Sequence, residues 1–319
     1  MNVPTLADIE TARERIGSRI HQTPIFASHT LDQLLGYQIF LKGETLQKTG
    51  SFKSRGALNA LLQLDSKQAN KGVIAVSAGN HAGAVAWAAK QTKISATIVM
   101  PNRASKVKVA ATIDYGAEVI LFGQSMVQAF IEMERIKEER HLKLIHPFDD
   151  PAIISGTGTI GLELLEQISD LDAVLVPVGG GGLIAGIATA IKAIAPKIQI
   201  VGVEPEGADS MYESLSAGRP VCVPTINTIA DGLALGQPGE LTFPIVRDKA
   251  DKVVIVNDSE IKYATKFVIE RFKLLSEPAG ATALAALLFE KLQFKANAKI
   301  AIILSGGNVD LDLLGHLSE

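Results

Sequence analysis

Asp172-Ala173-Val174-Leu175-Val176-Pro177-Val178-Gly179-Gly180-Gly181-Gly182-Leu183-Ile184-Ala185 holds the clearest clue to the fold. Residues 172–178 are an apolar run of strand length, four glycines follow, and 183–194 read as an apolar helix. A strand without a polar face is covered on both sides, as happens in parallel sheets flanked by helices. The same alternation extends in both directions. Strands are expected at 37–42, 72–77, 96–100, 118–122 and 142–145 before this unit, and at 198–203, 252–256 and 299–304 after it. Helices are expected over 4–19, after the Lys53 loop, through Lys90, and from near Ser259 and Pro278. The fold class is therefore α/β, with open, twisted, mostly parallel sheets covered by helices.

A chain of 319 residues has room for two domains. Its net charge of -3 offers no basic field for nucleic acid. The mixed-sign run Glu132–Arg140 reads as a solvated helix face. One cysteine, Cys222, excludes an intrachain disulfide and CxxC chemistry; it is expected to be packed. The first residues carry acids and no apolar core, and no apolar run reaches the ~20 residues of a membrane helix. A cytoplasmic address is expected, with no membrane partner. The six histidines show no metal-binding spacing.

Ligands in open α/β sheets gather at the carboxyl ends of strands. Three such ends are chemically unusual here: Ser77-Ala78-Gly79-Asn80-His81, Gly179–Gly182 and Ser305-Gly306-Gly307-Asn308. Four glycines before a helix present backbone N–H groups to a phosphate. Lys53, in Thr49-Gly50-Ser51-Phe52-Lys53-Ser54-Arg55-Gly56, would by itself be an ordinary loop lysine. Buried and partly deprotonated, it becomes a nucleophile for an aldehyde. Gly180–Ala185 also satisfies G-x-G-x-x-A, with Glu204 ending the next strand, but a nicotinamide site would leave Lys53 and both serine-containing loops unused.

Ser51-Phe52-Lys53-Ser54-Arg55-Gly56-Ala57, Ser77-Ala78-Gly79-Asn80-His81, Gly179-Gly180-Gly181-Gly182-Leu183, Glu277-Pro278-Ala279-Gly280 and Ser305-Gly306-Gly307-Asn308 occur in the order seen in fold-type II pyridoxal phosphate enzymes. From about residue 5 to 313, the chain resembles the serine/threonine dehydratase (threonine ammonia-lyase) and serine racemase branch, in its short form. The resemblance implies a tryptophan synthase β-like fold. Residues 1–64 and 150–319 would form a large domain binding pyridoxal 5'-phosphate, with a small domain, 65–149, inserted in it. Lys53 would bond the cofactor's aldehyde and later remove the substrate's Cα proton. Phe52 would pack on the ring, Asn80 would bond the phenolic oxygen, and Gly179, Gly180, Gly181, Gly182 and Leu183 would hold the phosphate. Ser305 would face the pyridine nitrogen, with Glu277 nearby, while Ser77, Asn80 and His81 would hold the substrate carboxylate. The implied reaction is α,β-elimination from L-threonine or L-serine, giving 2-oxobutanoate or pyruvate plus ammonia. A homodimer acting on a small amino acid is implied as well.

Three departures qualify the resemblance. Racemases of this branch resemble Ser-Ser-Gly-Asn-His where this chain has Ala78, and alanine has no proton to exchange. Serine racemase and 3-hydroxyaspartate dehydratase remain the alternatives. The family's cation site resembles Glu204–Ser210, using Glu204, the Ala208 carbonyl and an acid where Ser210 stands; a divalent cation is left open and no metal ligand is assigned. Finally, the Ser305 element is followed only by a short helix, so no carboxyl-terminal regulatory domain is expected.

Overall fold

The continuous apolar runs become strands because β-branched residues with no polar face are stable only between two covering layers. The computed structural model describes residues 2–310 together with Gly315. The strands are β1 (Ile25–Ala27), β2 (Gln38–Gly43), β3 (Val73–Val76), β4 (Ala96–Met100), β5 (Glu118–Leu121), β6 (Lys143–Leu144), β7 (Ala173–Pro177), β8 (Gln199–Pro205), β9 (Lys252–Val256) and β10 (Lys299–Leu304). One sheet runs β1-β2-β10-β7-β8-β9 and the other β5-β4-β3-β6. Every pairing is parallel except β1 with β2. The expected strands lie close to their expected bounds. β1 was not expected: three residues after Pro24 are too short for a period to emerge.

The first helix is shorter than expected, Leu6–Ile16, followed by a 3₁₀ turn over Gly17–Arg19. Thr5 caps it, in a reciprocal capping box with Asp8. The helix Pro151–Gln167 was not singled out in the sequence. It begins with Asp150 accepting from the Ala152 and Ile153 amides and with proline in the first turn. Its internal glycines lower helix propensity and mask the pattern. Cys222 is a correction: the thiol is exposed, with only the Val223 carbonyl at 3.7 Å. The short helix expected after the Ser305 element lies, Gly315 apart, outside the described residues. Among the described residues, no helix is long and apolar enough to cross a membrane.

The larger core lies on both faces of the six-stranded sheet. Leu175, Val203 and Ile302 pack towards the Pro278–Leu288 helix, and Val174, Val176 and Ile303 towards Gly182–Ile194. The Pro151–Gln167 helix lies between the Lys53–Leu61 and Gly182–Ile194 helices. Glycine permits this crossing: a Cβ at Gly156 would stand 2.7 Å from both the Arg55 carbonyl oxygen and the Gly56 Cα. Backbone cannot move aside as a flexible side chain can. Gly156→Ala is accordingly expected to cost about 1–3 kcal/mol, measured as a lower urea midpoint at unchanged slope.

Candidate active site

Lys53 starts the helix Lys53–Leu61, and the end of β10 fixes the loop before it. Ser51 bridges Gly306, the Phe52 amide donates to the Ser305 carbonyl at 3.1 Å, and the Gly307 amide to the Gly50 carbonyl at 2.9 Å. Lys53 Nζ donates to the Pro147 carbonyl at 2.7 Å and lies 5.1 Å from the centre of the Phe52 ring. Burial pushes the amine down to about 8, against the opposing pull of Glu277. About a tenth of it is then unprotonated at pH 7, far more than of an ordinary lysine near 10.4, as a nucleophile or base requires.

Beyond this lysine lies a buried ionic cluster. Arg55 donates to both oxygens of Glu44 (2.8 and 2.7 Å) and both of Glu163 (2.6 and 3.0 Å). Lys42 joins Glu163 at 2.5 Å and also donates to the Thr23 carbonyl and Gln167. Arg55, Lys42 and Glu44 are fully buried and Glu163 nearly so. Two cations and two anions balance, and the planar guanidinium suits two carboxylates at once. Burial would lower the Arg55 pKa, but Glu44 and Glu163 more than compensate and raise it.

At the end of β3, the Ser77 hydroxyl accepts from the Gly79 amide at 3.1 Å, and Asn80 opens the helix Asn80–Thr92. Asn80 Nδ2 donates to Glu277 Oε1 at 2.5 Å, while its Oδ1 accepts from Asn308 Nδ2 at 2.8 Å. Among the described residues, one Asn80 amide hydrogen remains uncommitted. Glu277 is pushed up to about 7, by burial first and then by Asp231; Asn80, Lys108 and Lys53 oppose the shift. Ser305 is buried at the end of β10, and its hydroxyl has no protein partner among the described residues. His81 is 3 % exposed, with Nε2 at 2.8 Å from the Ile145 carbonyl. Burial, then the Lys53 charge, push it down to about 3, so it is a neutral imidazole donating to that carbonyl. It offers no positive charge to a carboxylate.

The glycine loop joins β7 to the helix Gly182–Ile194. Gly181 has φ +91°, a conformation that favours glycine. The Thr242 hydroxyl donates to the Gly180 carbonyl at 2.6 Å. No protein acceptor takes the amides of Gly179, Gly180, Gly181, Gly182 or Leu183 among the described residues. These N–H groups at a helix start form a cradle suited to phosphate. Phe148 lies so close that a Cβ at Gly180 would come within 2.5 Å of its ring. Pro147 and Phe148, together with Lys42, Glu44 and Glu163, had no site role in the sequence, and Arg55 stood there only as part of the Lys53 stretch.

At the end of β8, Glu204 uses its carboxylate to accept the Met211 and Tyr212 amides at 3.0 and 2.7 Å. Burial pushes it up to about 8. The buried Ser210 hydroxyl has no partner among the described residues. No group of three His, Cys, Asp or Glu suited to a metal occurs among the described residues.

Residues 16–306 match the family described as pyridoxal-phosphate dependent enzyme. The chain is 45% identical over 311 residues to L-threonine ammonia-lyase of Geobacter sulfurreducens, covering 98% of this chain and 77% of that protein. It is 43% identical over 326 residues to serine racemase of Dictyostelium discoideum, covering 99% and 98%. The structure of maize serine racemase superposes with a TM-score of 0.95 at 44% identity, covering 99% of this chain and 97% of that one.

Two measurements test the geometry. In cofactor-free protein, reaction of Lys53 with an amine-directed label should follow a titration with its midpoint about 8. Ordinary lysines, near 10.4, would remain largely protonated there. Arg55→Met should cost about 3–5 kcal/mol in chemical denaturation, because it leaves Glu44 and Glu163 short of their buried partner.

Proposed function

This chain belongs to the pyridoxal-phosphate dependent enzyme family, within its threonine dehydratase and serine racemase group, and we propose that it is an ammonia-lyase. The reaction is α,β-elimination from L-threonine or L-serine, with release of 2-oxobutanoate or pyruvate and ammonia. The cofactor is pyridoxal 5'-phosphate. The residues present fit it: a buried amine of lowered pKa and, among the described residues, five open backbone amides and a Ser305 hydroxyl with no protein partner. When bound, it supplies an aldehyde that joins an amine and a ring that withdraws electrons from the substrate Cα.

In this reading Lys53 would hold the cofactor through its amine and, as a free amine, would take the substrate Cα proton as general base. Release from the Pro147 carbonyl frees its nitrogen for both tasks. Gly179–Leu183 hold phosphate through backbone N–H groups and the helix start. Phe52 packs beside the ring, and Asn80 offers its uncommitted amide hydrogen to the phenolic oxygen. Ser305 meets the pyridine nitrogen with a neutral hydroxyl. That hydroxyl offers no anion to hold a proton on the nitrogen, which would suit elimination of a β-substituent. Glu277 keeps Asn80 oriented. Ser77, Asn80 and the helix start hold the substrate carboxylate, and His81 braces the same loop through Ile145. Residues 65–149 act as a small domain inserted between 1–64 and 150–319, closing over the substrate. The homodimer is carried by the family resemblance.

Ala78 is the observation that favours the lyase. Beside Ser77, at the position where racemases of this branch resemble serine, its methyl group can neither give nor take a proton. The similarity to serine racemases makes inversion the second reading. Holoenzyme supplied separately with L-serine, L-threonine, D-serine and 3-hydroxyaspartate distinguishes them. Oxo acid should form from L-threonine or L-serine much faster than L- and D-serine interconvert; inversion at the same speed as pyruvate release would rule the reading out. Ala78→Ser should raise the ratio of D-serine to pyruvate. Lys53→Ala should abolish both activities.

A further inference from the structure

The helix Lys106–Asp114 follows β4 and belongs to the layer over the four-stranded sheet. Its beginning nevertheless reaches the wall built on the six-stranded sheet. Ser105 Oγ donates to Asp310 Oδ1 at 3.0 Å, and Lys108 Nζ donates to Asp231 Oδ2 at 3.2 Å. Between them, Val107 is 72 % exposed and contributes no apolar seal. Both contacts are polar and join the two sides of the proposed substrate cleft, the Lys106–Asp114 helix on one and Asp231 and Asp310 on the other. The Lys108 side chain is largely covered, whereas Asp231 is mostly exposed. Burial alone would lower the Lys108 pKa; Asp231, followed by Glu277 and Asp310, outweighs it and raises it.

The charges near Glu277 give this pair a purpose beyond surface decoration. Asp231 repels the Glu277 carboxylate, while Lys53 and Lys108 attract it. Lys53 is assigned above to the cofactor and then to the Cα proton, so its charge changes through the reaction. Lys108 is the cation left to balance Asp231 and Glu277 at each stage. Glu277 in turn holds Asn80, at the end of β3, to the segment before the Pro278–Leu288 helix.

We infer that Lys108 is a positioning residue: by pairing with Asp231 across the cleft, it holds the Lys106–Asp114 helix closed over the amino-acid substrate and keeps the Glu277–Asn80 contact in register. This rests on the reading of the cleft as the substrate site. A partly exposed ion pair is weak and is screened by salt, which suits a contact that must open to release product.

The test compares Lys108→Met, Asp231→Asn and Lys108→Arg with the unaltered holoenzyme. Lys108→Met and Asp231→Asn should each raise KM for the accepted amino acid by about fivefold with a smaller change in kcat, the scale of a modest coupling. Lys108→Arg should retain most of the affinity, because the cation is kept. Raising ionic strength until the screening length falls from about 30 Å to about 3 Å should raise the wild-type KM and leave that of Lys108→Met flat. Amide hydrogen exchange supplies a readout independent of turnover. Lys108→Met should exchange faster at residues 105–110 and unchanged over the Met126–Arg140 helix. Unchanged exchange at residues 105–110, or an equal KM increase in Lys108→Arg, overturns the inference. Absence of lyase turnover in the unaltered protein would instead overturn the proposed reaction while leaving the exchange result readable.

Discussion

The meeting of Arg55 with Glu44 and Glu163, buried away from water, constrains everything around the reactive lysine. Arg55 belongs to the same short helix as Lys53, Glu44 lies directly after β2, and Glu163 lies on the Pro151–Gln167 helix. One guanidinium therefore ties a strand end and two helices together. The lysine helix cannot slide along its neighbour without stretching charge-assisted bonds in a dry environment, where water cannot replace them. Lys42 completes the balance, so the cluster carries no net charge into the core. Such a cluster is a weak source of stability compared with apolar packing, but a strong source of register, because removing any member strands a charge.

The open side of the lysine is organised differently. Asn308, Asn80 and Glu277 form a hydrogen-bonded chain linking the ends of β10 and β3 to the start of the Pro278–Leu288 helix. None of these three groups needs a permanent charge to hold the others. Glu277, pushed towards neutrality by burial, feels the charges of Lys53, Lys108 and Asp231. The site thus has a rigid ionic floor and an adjustable polar rim. Bond formation requires a fixed nitrogen, whereas substrate entry and product release require a wall that can yield.

Much of the fold was legible because burial on both faces leaves an unbroken apolar strand, and the alternating helices leave little choice of sheet type. β1 was hidden by its brevity. The Pro151–Gln167 helix was hidden by glycines that look like breakers in sequence but serve as contact points in space, Gly156 against the Arg55 backbone being the clearest case. The site was legible only in part. Lys53, Asn80, the four glycines and Ser305 stand in local patterns. Glu163 lies 108 positions from its partner Arg55, and Lys108 lies 123 from Asp231. No local pattern reports such pairs. Nor could sequence foresee that His81 would turn to the Ile145 carbonyl, or that Cys222 would be exposed.

Sequence alone determined which chemical groups are present: an amine for an aldehyde, amides for a phosphate, a neutral serine at the third strand end, and an alanine without an exchangeable proton at position 78. Tertiary structure decided their working state. Burial brings Lys53 down to about 8 and Glu277 up to about 7, and it turns His81 neutral. A residue's identity sets its intrinsic proton affinity, but desolvation and distant charges set the affinity it has in the protein. Those distances exist only once the two sheets and their covering helices have come together.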